Sequence, residues 1–119
     1  MKYMLLIYGN ETTWNELYGD AFDDVMREHE VLAAELAASD EFVESQGLTT
    51  RGAMTVRVRD DTATVTDGPF TEAKEVLAGY YLVDCADAER AADIAARIPE
   101  ARFDLVEVRR VMDPSEFGT

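Results

Sequence analysis

The run Tyr3-Met4-Leu5-Leu6-Ile7-Tyr8, closed by Gly9-Asn10, decides the fold. A short apolar run ended by turn residues reads as a buried strand. Tyr3, Leu5 and Ile7 fall on one side of it, and Met4, Leu6 and Tyr8 on the other, so both faces need cover. A second run of the same kind, Leu77 to Cys85, is apolar on both sides through Tyr80, Tyr81, Leu82 and Val83. Between the two, Phe22, Val25, His29, Leu32 and Leu36 recur at steps of three and four. That spacing puts them on one face of a helix from about Asp20 to Ala38, widened by Met26 and Ala33. Phe42 to Leu48 reads as a strand. Thr55 to Arg59 and Thr62 to Thr66, joined by Asp60-Asp61, read as a hairpin with a two-residue turn. Asp87 to Arg97, Ala-rich with an acidic start and stopped by Pro99, reads as a helix, and Phe103 to Val111 as the last strand.

The order is strand, helix, strand, hairpin, strand, helix, strand. This is an α+β chain, the ferredoxin-like βαββαβ pattern with an inserted β-hairpin. Residues 1–112 form one domain and residues 113–119 a short tail. Two helices cover one face of a four-stranded sheet. The other face of the two doubly apolar strands then lies open, which a small monomer rarely tolerates. A second copy packed sheet to sheet is the simplest cover, so a homodimer is expected.

Composition narrows the function classes. The chain has 119 residues, with 25 acidic and 11 basic side chains and a formal charge of −14. Such acidity excludes a nucleic-acid binder, whose affinity comes from Lys and Arg, and an anionic membrane surface. Between Glu11 and Glu44 there are eleven acids and one base, a solvated face or a docking surface for a basic partner. Cys85 is the only cysteine, so no disulfide joins the chain to itself, and it reads as packing. With His29 as the only histidine and carboxylates scattered, no ligand spacing singles out a metal site. No cofactor is expected. The opening apolar run is too short to span a membrane and no small-residue cleavage site follows, so the expected compartment is the cytoplasm.

Asp67-Gly68-Pro69-Phe70-Thr71-Glu72-Ala73-Lys74-Glu75 is the most informative loop. Asp-Gly-Pro is strong turn chemistry, and about nine residues exceed what a bare hairpin needs. Phe70 has two readings, a plug in the core or a functional contact. The longer run DGPFTEAKEVLAGYYLVD resembles the DGPF motif of the YCII-related family, close to DGPF-x-E-x-KE followed by a GYY-like strand. The opening MKYMLLIYGNE and the later ARIPEARFDLVEVR are similar to that family as well, so the resemblance covers nearly the whole chain. Asp67, Gly68, Pro69, Phe70, Glu72, Lys74 and Glu75 match the motif directly. Glu107 and Arg109 match its closing E-V-R. Where many relatives have Gly-Gly-Glu in the second strand, this chain has Glu44-Ser45-Gln46.

The resemblance implies a dimeric α/β-barrel form of the ferredoxin-like fold, with no settled activity. It implies a cleft in which His29 and Asp67 act as an acid/base pair, with Gly68, Pro69, Phe70, Lys74 and Arg109 as ligand contacts. Genes of DGPF-type members often lie beside those of extracytoplasmic-function sigma factors, which implies a signalling or accessory role. The residues themselves leave His29 open. An imidazole oriented by a carboxylate is a general base near neutral pH. An imidazole in the middle of an apolar stripe is equally a core or cleft-lining group. Arg51, Arg57, Arg59 and Arg109 offer a positive pocket for an anion, or a charged edge. Trp14, Tyr18, Tyr80 and Tyr81 line a pocket or fill the core. Two functions follow: a module binding an unknown small molecule or protein partner, and a small-molecule enzyme built on His29 and Asp67.

Overall fold

The computed structural model describes residues 1–17, 19–49, 52–68 and 75–117. Four strands, β1 (Lys2–Gly9), β2 (Phe42–Gly47), β5 (Val76–Asp84) and β6 (Leu105–Arg110), form one antiparallel sheet in the order β2-β5-β1-β6. β3 (Met54–Arg59) and β4 (Thr62–Asp67) form a separate two-stranded ribbon. Among the described residues, three α-helices accompany them: α1 (Glu11–Leu17), α2 (Phe22–Ala38) and α3 (Ala88–Ala96). The strands and the two longer helices fall where the hydrophobic periods put them, within a residue or two at each end.

The doubly apolar runs are the two central strands. Leu5 stands opposite Tyr81, Tyr3 opposite Val83 and Ile7 opposite Gly79. These residues share one face, and their side chains meet Leu32 and Leu36 of α2 and Ala91, Ile94 and Ala95 of α3 in one buried cluster. Both longer helices therefore cover the same face. Met4, Leu6, Tyr80 and Leu82 alternate onto the other face and are only half-buried. Phe22 departs from the expected stripe. It opens α2 and is 44 % exposed, while Val25, Leu32 and Leu36 further along are buried.

The sequence periods miss α1. With seven residues it is too short to show an amphipathic repeat. Reciprocal capping holds its start, since the Asn10 N–H donates to Thr13 Oγ1 at 2.9 Å and the Thr13 N–H to Asn10 Oδ1 at 3.0 Å. The ribbon turn takes the expected form. Asp60 and Asp61 both lie in the left-handed region, at φ 50° and 63°, the primed geometry that two-residue hairpins prefer. The segment after β6 is tied back rather than trailing, as Arg110 grips Glu116 through two hydrogen bonds of 2.6 and 2.9 Å.

Asp87 caps α3 by accepting from the Arg90 N–H at 2.8 Å, which aims the Arg90 side chain toward the start of β2. There its guanidinium donates twice to Glu41, at 2.9 and 2.8 Å. These bonds, seconded by Ser39, hold the Glu41 carboxyl down at about 2 from an ordinary 4.5. A depressed carboxyl stabilises the fold above its ordinary pKa, and that contribution fades as pH falls toward the folded value. Denaturant melts taken stepwise from pH 5 to pH 2 should therefore lose stability with a slope that Glu41→Gln flattens. An equal slope in the variant would take Glu41 out of the acid transition.

Candidate functional site

His29 sits one helical turn before Leu32, where α2 crosses the sheet. Its ring is largely covered, with 19 % of the side chain exposed. Nδ1 lies 2.6 Å from the Tyr81 hydroxyl. Nε2 lies 3.0 Å from Oε2 of Glu100 and 2.8 Å from Oε1. An ionised carboxylate only accepts, so Nε2 carries the hydrogen donated to Glu100 and Nδ1 accepts from the Tyr81 O–H. The three groups form a directed chain, phenol to imidazole to carboxylate. The imidazole and phenol rings stack, with centroids 5.8 Å apart and planes 21° off parallel. Phe42 meets Tyr81 edge-on at 6.4 Å.

Each partner is delivered by a different element. Tyr81 comes from β5, on the helix-covered face because Leu5 stands opposite it. Glu100 comes from a short 3-10 turn, Pro99–Arg102, and is only 4 % exposed. Pro99 at the first position suits this turn, as its missing N–H has no partner to lose there. Burial, and then the negative charge of Glu100, push the Tyr81 phenol up to about 12, while a hydrogen bond with Ser45 pulls the other way. Tyr81 thus keeps its proton throughout the physiological range.

The chain of hydrogen bonds ends at the wall of a cavity of about 410 Å³. Ile7, Phe42 and Ala78 from the sheet and Met26 and Ala33 from α2 give it apolar sides. His29, Tyr81, Glu100, Ser45 and Glu30 give it polar ones, and Gly47 and Gly79 leave bare backbone. This volume is in the usual range for small-ligand pockets. A larger groove of about 670 Å³ runs between α2 and the end of α3, but its arginines are engaged. Arg27 pairs with Asp24, Arg97 with Glu35 and Arg102 with Glu28.

The structure redistributes the residues singled out from sequence. The carboxylate that meets His29 is Glu100, and both ring nitrogens are engaged without Asp67. Asp67 ends β4 opposite Met54 and is exposed. Gly68 turns the chain there with φ 101°, its N–H donating to the Ala53 carbonyl at 2.7 Å and its own carbonyl accepting from Thr55 Oγ1 at 2.9 Å. Arg109 stands opposite Met4, on the sheet face away from α2 and His29. Arg57 and Arg59 belong to the ribbon. Pro69, Phe70, Lys74, Glu72, Arg51 and Tyr18 lie outside the described residues.

Of Trp14, Tyr80 and Tyr81, Tyr81 lines the cavity. Tyr80 points to the other face and hydrogen-bonds Glu44. Trp14 packs over Gly9, where an added Cβ would come within 2.3 Å of the indole nitrogen. Cys85 is buried, its thiol pushed up chiefly by that burial. The far end of the Asp-Gly-Pro loop is anchored. Glu75 and Asp104 both accept from the Asn10 amide, at 3.2 and 3.1 Å, and the hydrogen bond that the Asp104 carboxyl shares with Glu75 raises it. Among the described residues, no three His, Cys, Asp or Glu side chains are arranged to hold an ion, and no helix is long and apolar enough to cross a membrane.

Glu100 was the residue that sequence reasoning missed. Its signal was a charged side chain held between Ile98-Pro99 and Ala101, inside the second stretch that carries the family likeness. The comparisons agree with that likeness. The family model of the YCII-related domain matches residues 1–115. An uncharacterized protein of Rhizobium meliloti (strain 1021) is 31 % identical over 102 residues, covering 85 % of this chain and 82 % of that protein.

Tyr81→Phe keeps the ring packing and removes the donor to Nδ1. Leaving that nitrogen unpaired should cost about 1–3 kcal/mol in urea melts. In ¹⁵N spectra the His29 Nδ1 signal should move as its hydrogen-bond donor is lost, while Nε2, still facing Glu100, keeps its hydrogen. A variant as stable as the parent, with the Nδ1 signal unmoved, would show that the Tyr81 bond does not hold the ring.

Proposed function

The chain belongs to the YCII-related domain family, and on that premise we propose that it is a homodimeric small-molecule-binding protein whose ligand enters the cavity beneath α2. One observation carries the reading: a phenol–imidazole–carboxylate chain, closed at one end by buried Glu100, presents Tyr81 at the cavity wall. Such a chain is costly inside a core unless fully satisfied, and it is more than packing needs. Both ring nitrogens of His29 are already engaged, which favours recognition over a free general base.

The dimer rests on the uncovered sheet face. Met4, Leu6, Tyr80 and Leu82 make its centre, with Glu44 and Gln46 on one edge strand and Glu107 and Arg109 on the other. An apolar centre with a polar rim is the ordinary make-up of an interface. On the ribbon, Met54, Val56, Val58 and Val65 are 58 to 67 % exposed, and a lone two-stranded ribbon is barely stable in water. The radius of gyration, 16.5 Å, exceeds the ~13.5 Å expected of a compact chain this long. These features support a ferredoxin-like dimeric α/β-barrel assembly; the Asp67-Gly68-Pro69-Phe70 run supports the DGPF-motif subgroup, and the location we propose is the cytoplasm.

A second reading, acid/base catalysis, draws on the same three residues, with Glu100 in the role expected of Asp67. A substrate hydroxyl hydrogen-bonded to the Tyr81 oxygen passes its proton there as Tyr81 releases its own to Nδ1. Glu100 then holds the imidazolium, and the substrate leaves as an alkoxide or enolate equivalent.

Light scattering at micromolar concentration should give about twice 13.3 kDa, and Leu82→Asp should abolish that species. A stable monomer at high concentration removes the dimer. For the ligand, a fragment screen read on the ring signals of the single histidine should yield binders that Glu100→Gln weakens. Hits that never touch those signals would move the site elsewhere.

A further inference from the structure

We infer that the cavity takes a flat ring without negative charge, laid against the paired glycines Gly47 and Gly79 with a donor group turned to Tyr81. The inference rests on the reading of this cavity as a ligand pocket and narrows what enters it.

Gly47 and Gly79 stand opposite each other where β2 and β5 pair, two residues beyond the Ser45–Tyr81 pair and on the same face. Glycine weakens a strand and is kept where something approaches the backbone closely. At Gly79 the reason is internal, since an added Cβ would lie 2.9 Å from the Gln46 carbonyl oxygen. At Gly47 nothing among the described residues requires glycine. Its φ is not in the left-handed range, and an added Cβ meets none of their atoms within 4 Å. The pair leaves a strip of bare peptide on the cavity wall. Met26 and Ala33 face the cavity from α2, one flexible and one small. A slot between a helix and a side-chain-free strip admits a planar group more readily than a branched one.

Charge selects next. The ionisable groups lining the cavity are His29, Tyr81, Glu30 and Glu100, with no Lys or Arg among the described lining residues. Two carboxylates in a partly desolvated site repel an anion. The Tyr81 hydrogen is committed to Nδ1 and its oxygen already meets Ser45, so it has only a remaining lone pair to offer a newcomer. The ligand must bring the hydrogen, as an N–H or O–H.

Four probes separate these requirements when titrated at millimolar concentration against the His29 ring signals: indole, phenol, benzoate and cyclohexanol. Indole and phenol should shift the signals saturably, while benzoate and cyclohexanol bind at least about tenfold more weakly. Gly47→Val should fill the slot and weaken indole by about tenfold or more, with Gly47→Ala between. Both should keep the wild-type His29 Nδ1 and Nε2 signals in the absence of probe, which shows that the fold and the Tyr81 bond survive. Equal binding of benzoate or cyclohexanol would overturn the ring and charge assignment and leave a pocket in place. Unchanged indole affinity in Gly47→Val would overturn the glycine wall. Silence from all four probes beside a hit from the broader screen refutes this inference alone, whereas silence in both removes the pocket as well.

Discussion

Everything in this molecule hangs on the register between β1 and β5. Leu5 against Tyr81 and Met4 against Leu82 sort each side chain to one face or the other. A slip of one residue exchanges the faces completely, because side chains alternate with a period of two. It would carry Tyr81 away from α2, and the imidazole would lose its phenol. Packing and site are thus fixed by one ladder. The bulge between Ile7 and Tyr8 lets Ile7 face Gly79 while Tyr8 faces Leu77, so the strand ends adjust without disturbing that choice.

Local patterns in the sequence reported this ladder well. A strand with both faces apolar can only be central, and helix spacing located the face of α2 that carries His29. The partner of His29 was beyond such reasoning. Residues 29, 81 and 100 lie on three separate elements, and no period or spacing ties them together. Asp67 was paired with His29 on the family resemblance alone, and the turn it opens serves the ribbon: Gly68 closes it onto Ala53 and Thr55. α1 escaped notice for a different reason. Seven residues are too few to display a hydrophobic period, and the capping pair Asn10 and Thr13 was its only mark.

The site also shows how an acidic chain manages a buried carboxylate. A lone ionised Glu in a core is expensive, and removing its partner leaves that cost uncompensated. Glu100 avoids this by receiving the imidazole N–H, which in turn lets His29 accept from Tyr81. The phenol is held well above its ordinary value, so Tyr81 keeps the hydrogen it donates. Polarity is present in the core, but each hydrogen has one defined owner.

The position of β1 in the sheet also bears on how the chain comes to be folded. Its two neighbours are β5 and β6, at residues 76–84 and 105–110, so its hydrogen-bonding edges stay empty until most of the chain has been synthesised. Contacts this distant in sequence close slowly, because the loop entropy is spent before any pairing compensates it. During that interval an apolar strand, sticky on both sides and along both edges, is exposed on the nascent chain. Early termination or slow translation before β5 would leave a species that pairs with other chains, which makes aggregation during synthesis, rather than instability of the finished fold, the characteristic hazard of this topology.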